Sequence, residues 1–370
     1  MSKPKYLYID DENGGAETAT LHGFNDIGLI EVERFPLSDY KEFGNLKNEL
    51  LERLKNNGFQ GLLLDLRLDG TGEDRTEFNA TSLSQELRSI AARNESLTFP
   101  IVLCSTEDKI KQTYDSDKTS HDLFDYKISK SNPSPNWLKL SLKLLSLAEG
   151  YSVLNNEINK ETIFGVELEK IDERIVEKIE TLITKYDFAH FVVKNFFHQT
   201  NPLINEKILG ARLGIDIVKT DQKDWLKLIE TIFEKAKYRG IFSSGWNRWW
   251  ADEVNNIFFS FSGEKLAFIN AEKRVEILKK ISGIENLKVA KPLKFCNSSE
   301  FWNICEAYKV PIDPLEGFKI FTTSDIKSWQ EPKFISLLAI LERDGVERGL
   351  RPHSSEVERI GYTKELLGIK

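Results

Sequence analysis

Five polar residues in the first 130 positions each stand at the carboxyl end of a segment that predicts a β-strand, and their types suit phosphoryl chemistry. They are Asp10, Asp11, Asp65, Ser105 and Lys130. Neighbouring carboxylates repel one another and are stable together only with a cation, and hard oxygen ligands at a small site favour Mg²⁺. A hydroxyl and an ammonium beside them could bind phosphoryl oxygens. The set therefore predicts a Mg²⁺ and phosphoryl site if the fold brings its members together.

The elements that must position these residues alternate between strand and helix through residues 1–150. The predicted strands are Tyr6–Ile9, Gly28–Phe35, Gly61–Asp65, Pro100–Cys104 and Asp125–Ser129. The predicted helices are Leu46–Lys55, Thr81–Arg93, Glu107–Tyr114 and Trp137–Ala148; the second has apolar residues four and three apart, and the last is rich in leucine. This alternation predicts a doubly wound parallel sheet. Ligands of such sheets bind beyond the carboxyl ends of the strands, which is where the five polar residues fall.

Residues 5–149 resemble the receiver domain of bacterial response regulators, which has a flavodoxin-like five-stranded parallel sheet. The matching segments are the acidic pair in YIDDE, the aspartate in LLLDLRLDG, the hydroxyl after PIVLC and the lysine in KISKS. The resemblance implies that Asp65 is the phosphoacceptor and that Mg²⁺ is bound by Asp11, Asp10, Asp65 and the Arg67 carbonyl. It further implies that Ser105, next to Thr106, is the switch hydroxyl and that Lys130 pairs with the phosphate.

The same resemblance points to two residues that could control how long a phosphoryl group survives. In receivers, the residues two beyond the acceptor and two beyond the switch hydroxyl line the path of the hydrolytic water. Here these residues are Arg67 and Glu107, whose opposite charges could pair across the mouth of the site. Thr106 is bulkier than the residue common at its position. We therefore expect slow hydrolysis, unless both charged side chains point into solvent and have no effect.

Composition sets the domain organisation and excludes several classes of protein. The 370 residues suit two domains. Residues 1–150 hold 18 basic and 25 acidic residues, whereas residues 151–370 hold 33 of each, which predicts a boundary near Gly150. Neither half has the basic excess that DNA binding normally needs. No apolar run suits a membrane span or a signal peptide, and three dispersed cysteines disfavour disulfides and zinc. We expect a cytoplasmic protein.

Residues 151–370 resemble no family that we recognise and predict a mainly α or α+β domain. Positions 153–185 have an amphipathic pattern that predicts a helical connector, formed by one long helix or a helix pair. Val254–Phe261 could form a strand. The Gly210–Gly214 segment resembles the turn of a helix-turn-helix, but the neutral charge disfavours DNA. Trp246, Trp249 and Trp250 form either a partner-binding surface or core aromatics on which Arg248 stacks.

These features lead to a principal hypothesis and two alternatives. The first is a two-component signalling protein that a sensor histidine kinase or phosphotransfer protein phosphorylates on Asp65. Its receiver would control or buffer a C-terminal output domain that binds a protein. The alternatives are an enzyme with its active site in residues 151–370, regulated by the receiver, and an unphosphorylated pseudo-receiver scaffold, either of which could belong to a defence operon. No convincing catalytic motif stands in the C-terminal half, and the oligomeric state is left open.

Overall fold

The chain forms two compact units in a computed structural model. The structure describes residues 3–11, 15–40, 42–56, 58–68, 79–94, 98–106, 108, 110, 122–130, 135–156, 158–200, 202–322, 326–347 and 349–369. The N-terminal unit comprises residues 1–170, 176–194 and 239–246, and the C-terminal unit comprises residues 171–175, 195–238 and 247–370.

A five-stranded parallel sheet forms the centre of the N-terminal unit. Its strands are β1 (Lys5–Ile9), β2 (Glu31–Arg34), β3 (Phe59–Leu64), β4 (Ile101–Ser105) and β5 (Tyr126–Ser129). Their order is β2-β1-β3-β4-β5, and every neighbouring pair is parallel. This order defines the flavodoxin-like form of the doubly wound fold, so the predicted fold class is confirmed.

Helices cover both faces of this sheet, which explains why its central strands are apolar on both sides. The helices are α1 (Gly15–Ile27), α2 (Phe43–Asn56), α3 (Ala80–Arg93) and α4 (Trp137–Asn156). Leu50 of α2 and Leu87 of α3 pack in one cluster with Leu64. On the opposite face, the hydroxyl of Tyr6 donates to the Leu144 carbonyl of α4 at 2.6 Å.

Local sequence explains where these helices begin and end. The Asn79 side chain accepts a hydrogen bond from the Ser82 N–H at 2.9 Å, and the Ser82 hydroxyl bonds back to form a capping box at the start of α3. Gly58 follows α2 with a φ of +72°, a conformation that glycine adopts without strain. The predicted helix Glu107–Tyr114 lies almost entirely outside the described residues.

The N-terminal unit continues beyond Gly150, the predicted boundary, because α4 runs through that residue to Asn156. The predicted connector at 153–185 consists of several short helices instead of one long helix. After the end of α4 come α5 (Lys160–Phe164), α6 (Glu173–Glu180) and the start of α7 (Lys185–Phe191). The interruptions have local causes, since Gly165 ends α5 at a φ of +66° and the Thr184 side chain caps α7. Much of this segment packs within the N-terminal unit.

The C-terminal unit combines helices with two small sheets and is therefore α+β. Its helices are α8 (Glu206–Leu213), α9 (Gln222–Ile232), α10 (Ala251–Ser262), α11 (Ala271–Ser282), α12 (Leu337–Leu341), α13 (Asp344–Glu347) and α14 (Val357–Leu366). Its strands are β6 (Leu203–Asn205), β7 (Arg248–Trp250), β8 (Asn303–Cys305), β9 (Val310–Ile312), β10 (Phe318–Lys319) and β11 (Phe334–Ile335). β6 pairs with β7, and the other four strands have the order β10-β11-β8-β9.

One sequence prediction in this unit is wrong, for a reason of local geometry. The predicted strand Val254–Phe261 lies within α10, where Val254 and Phe258, four residues apart, are buried on one helix face. In the Gly210–Gly214 segment, Gly210 lies inside α8 and Gly214 ends that helix at a φ of +73°. The segment is therefore a helix end. Over the described ranges, no helix combines the length and the apolar character that crossing a bilayer requires.

Candidate functional site

Parallel strands bring distant polar residues to one edge of the N-terminal sheet. Asp10 and Asp11 follow β1, and Asp65 follows the adjacent strand β3. The backbone N–H of Asp65 donates to the Ile9 carbonyl at 2.8 Å, which fixes these two strand ends beside each other. The Lys130 N–H likewise donates to the Ser105 carbonyl at 2.8 Å. The five residues that the sequence predicts therefore lie at the carboxyl ends of neighbouring strands.

The three aspartates form a compact acidic cluster. One carboxylate oxygen from each of Asp10, Asp11 and Asp65 lies within 4.8 Å of those of the other two. Asp10 and Asp65 are only 2% and 1% exposed, while Asp11 is half-buried. Several carboxylate oxygens at such spacing suit Mg²⁺, which binds one or two carboxylates and keeps several waters. The residues thus fit the ion that the sequence predicts.

The Lys130 ammonium bridges two members of the cluster. Its Nζ lies 2.6 Å from Asp10 Oδ2 and 2.8 Å from Asp65 Oδ1. Burial by itself would lower the pKa of Lys130, but the charges of Asp65 and Asp10 outweigh burial and raise it above its ordinary value. The three carboxylates and one ammonium carry a formal charge of −2. A single Mg²⁺ would balance that charge.

Both carboxylate oxygens of Asp65 accept hydrogen bonds. Lys130 Nζ donates to Oδ1, and the backbone N–H of Arg67 donates to Oδ2 at 3.0 Å. The Arg67 side chain is exposed. The Arg67 N–H contact places the backbone of this residue beside the acidic cluster. A donor close in sequence, the Arg67 N–H, and a distant one, Lys130 Nζ, thus help to orient the Asp65 carboxylate.

A buried hydroxyl lies at the end of β4. Ser105 is fully buried, and its Oγ has no hydrogen-bond partner among the residues that the structure describes. A buried hydroxyl without a partner is energetically unfavourable, and a phosphoryl oxygen at this edge would supply one. Thr106 is half-buried next to it. Glu107, the other residue of the predicted gate, lies outside the described residues.

Tyr8 also belongs to the site, although its only signal in the sequence is that it is an aromatic residue in an apolar strand. Its hydroxyl donates to Asp10 Oδ2, the oxygen that Lys130 also contacts. Burial, followed by the charge of Cys104 and that of Asp10, raises the pKa of Tyr8 well above its ordinary value, so the hydroxyl remains a donor. Cys104 itself is fully buried, which raises the pKa of its thiol to about 12.

The predicted partner surface of tryptophans is absent as an exposed patch. Trp246 and Trp249 are only 6% and 3% exposed, and Trp250 is half-buried. Trp249 belongs to the core cluster of the C-terminal unit, and Trp250 packs edge-on against Tyr238 of that unit. Arg248 lies 5.4 Å from the Phe197 ring centroid. The core interpretation of these aromatic residues therefore fits the structure.

The fold and the acidic cluster define a class: a flavodoxin-like α/β domain with a candidate metal pocket at the carboxyl edge of its sheet. No protein-family model matches the chain, and no curated protein matches it. Among solved structures, the phosphorylated cyanobacterial phytochrome response regulator RcpA aligns with 17% sequence identity and a TM-score of 0.23. The alignment covers 43% of this chain and 98% of that one. The fold class rests on the observed strand order.

Proposed function

We propose that the N-terminal unit is a receiver that accepts a phosphoryl group on Asp65 with the help of Mg²⁺. The acidic cluster, with the Lys130 ammonium between Asp10 and Asp65, is the observation that carries this proposal. Asp65 is the acceptor because it lies at the end of a central strand and two cations, Lys130 and the bound metal, would face it. Asp11, Asp10 and the Arg67 carbonyl would complete the metal site.

The proposed reaction is an in-line displacement at phosphorus. A carboxylate oxygen of Asp65 forms the new bond to phosphorus while the bond to the donor nitrogen of phosphohistidine breaks, and that nitrogen retains the electron pair. Bound Mg²⁺ would supply neutralisation of the charge that gathers on the phosphoryl oxygens. Lys130 would move from the carboxylates to one of these oxygens, and the Ser105 hydroxyl would donate to another.

The phosphoryl donor in this proposal is a sensor histidine kinase or a phosphotransfer protein. We assign the C-terminal unit to interaction or output with a protein partner, since residues 151–370, which contain it, hold equal numbers of acidic and basic residues and so have no general attraction for DNA. We place the chain in the cytoplasm, where such donors act. Because Trp246 and Trp249 are buried, we do not assign the partner surface to them.

Incubation of the full chain with acetyl phosphate and Mg²⁺ tests the assignment. Intact mass should show the gain of one phosphoryl group, stable in acid and labile in base. Asp65→Asn should abolish this gain, and omission of Mg²⁺ should suppress it. Asp39→Asn is a matched control, because Asp39 lies in a separate turn after β2. Equal labelling of wild type and Asp65→Asn would reject Asp65 as the acceptor, and absence of labelling in both would favour the scaffold alternative.

A further inference from the structure

Tyr8 occupies an unusual position within the candidate metal pocket. It lies on β1, two residues before Asp10, and its side chain is completely buried. Its hydroxyl donates to Asp10 Oδ2, and Lys130 Nζ lies 2.6 Å from that same oxygen. The ammonium also lies 5.2 Å from the centroid of the Tyr8 ring. One side chain therefore contacts both the carboxylate and the cation of the pocket.

Two donors on one oxygen have a direct consequence for Asp10. They hold the plane of a buried carboxylate in one orientation, and they divide its negative charge between a neutral donor and a cation. Hydrogen bonds from residues behind a ligand orient that ligand, and their loss commonly weakens metal binding by 10- to 100-fold. The Tyr8 hydroxyl is a donor of this kind, because it hydrogen-bonds Asp10, which would contact the metal.

We infer that Tyr8 is a positioning residue that acts through Asp10 to preform the Mg²⁺ site. This inference rests on the proposed function. It also extends to the transfer step, in which Lys130 leaves Asp10 for the phosphoryl group. At that moment Tyr8 remains as a donor to Asp10 Oδ2, so the buried carboxylate keeps a partner while the ammonium moves. An apolar residue at position 8 would remove this donor from Asp10.

A pair of conservative variants tests the inference on the full chain. Tyr8→Phe removes the hydroxyl that faces Asp10. Tyr6→Phe is the matched control, because Tyr6 is equally buried on the same strand and its hydroxyl donates to the Leu144 carbonyl at 2.6 Å. Each variant loses one buried hydrogen bond, so both should have a lower melting temperature than wild type in EDTA. The affinity for Mg²⁺, measured by calorimetric titration with MgCl₂, then separates a positioning role from a structural one.

We expect Tyr8→Phe to bind Mg²⁺ about tenfold more weakly than wild type, and Tyr6→Phe to bind it with unchanged affinity. Asp10→Asn should also weaken binding. Because Tyr8 acts through Asp10, adding Tyr8→Phe to Asp10→Asn should cause no further loss. The inference would be overturned if the two substitutions weakened Mg²⁺ binding additively in the double variant. It would also be overturned if the two tyrosine variants bound Mg²⁺ equally well, or if Tyr8→Phe bound it as tightly as wild type. A wild type that binds no Mg²⁺ would instead overturn the proposed function.

Discussion

The ring of Trp246 packs edge-on against the ring of Tyr126, with 5.7 Å between the centroids and 86° between the planes. Tyr126 begins β5, the strand that leads to Lys130. Lys143 of α4 donates to the Tyr126 hydroxyl at 2.8 Å and lies 5.0 Å from the Trp246 ring centroid. A segment distant in sequence, residues 239–246, thus completes the N-terminal unit beside its edge strand.

Close approach of this segment to α4 depends on small residues. A Cβ at Gly150 would lie 2.3 Å from the Phe242 ring, and a Cβ at Gly245 would lie 2.8 Å from that of Ser146. Phe242 is held at a φ of +65°, a conformation that non-glycine residues seldom adopt. The segment is therefore an integral part of the core of the N-terminal unit, and its aromatic rings contribute to the stability of that unit.

Trp246→Ala should lower the free energy of unfolding of the N-terminal unit by about 3–5 kcal/mol, because it removes a large buried ring. Urea denaturation followed by circular dichroism measures this loss. Leu138→Ala is the control, since Leu138 is 52% exposed and surface substitutions change stability by less than about 0.5 kcal/mol. A loss for Trp246→Ala as small as that of the control would contradict the observed packing.

Lys130→Met should destabilise the chain in EDTA by about 3–5 kcal/mol, because two buried carboxylates lose their shared cation. Millimolar Mg²⁺ should restore part of this loss, since the metal would neutralise the same carboxylates. Thermal melts with and without Mg²⁺ provide the comparison. Lys127→Met is the control, because Lys127 lies on β5, the strand that Lys130 follows, but is exposed. Equal destabilisation of both variants would argue against the bridging role of Lys130.

If Arg67 and Glu107 obstruct the hydrolytic water, shortening either side chain should accelerate loss of the phosphoryl group. The rate of dephosphorylation of Arg67→Ala and Glu107→Ala, each compared with wild type, measures this effect. Arg93→Ala serves as the control, since Arg93 is an exposed arginine at the end of α3. Unchanged rates in both gate variants would reject the idea that these side chains obstruct the hydrolytic water.

Arg88 and Asp125 form a buried ion pair with 2.7 Å between Nη2 and Oδ2. Removing one partner should lower the free energy of unfolding strongly. Asp125 also accepts from the Tyr151 hydroxyl at 2.6 Å and from the Ile101 N–H at 2.8 Å. Arg88→Met should therefore cost about 3–5 kcal/mol of unfolding free energy. Glu49→Gln, which breaks a more exposed pair with Arg53, should cost at most about 1 kcal/mol. Denaturant titrations that rank the two variants in the opposite order would contradict this assignment.

His190 should make the stability of the chain depend on pH below neutrality. Burial, only partly offset by Asp125 and Asp122, lowers the pKa of His190 below its ordinary value, and Lys194 and Arg88 lower it further. The unfolded chain then binds a proton at this residue before the folded chain does. Stability should therefore fall as pH decreases from about 6.5 towards the folded pKa.

The comparison that isolates this effect is the unfolding free energy of wild type and His190→Gln between neutral and mildly acidic pH. The variant should lose less stability on acidification than wild type. His22→Gln is the control, because the His22 side chain is exposed. Parallel pH profiles of wild type and His190→Gln would exclude His190 as a source of the acid sensitivity.

The sequence by itself determined the N-terminal fold class and the members of its acidic site. Alternating apolar strands and amphipathic helices allow few arrangements besides a doubly wound sheet. Because parallel strands end at one edge, residues that follow them must converge, and Lys130 reaches Asp10 across 120 positions. Asp10, Asp11, Asp65, Ser105 and Lys130 could therefore be assigned to one site before their distances were known.

Only the tertiary structure decided which other side chains join that site and where the unit ends. Tyr8 reads as one more apolar strand residue, because periodicity shows that it is buried but not what its hydroxyl faces. The composition break near Gly150 is a change in net charge, which is a property of the surface. The boundary of the unit is set by packing in the core instead. Trp246 joins the N-terminal core because Tyr126 and the surface of α4 around Ser146 and Gly150 offer its segment a close fit. Such long-range complementarity has no local signature in the sequence.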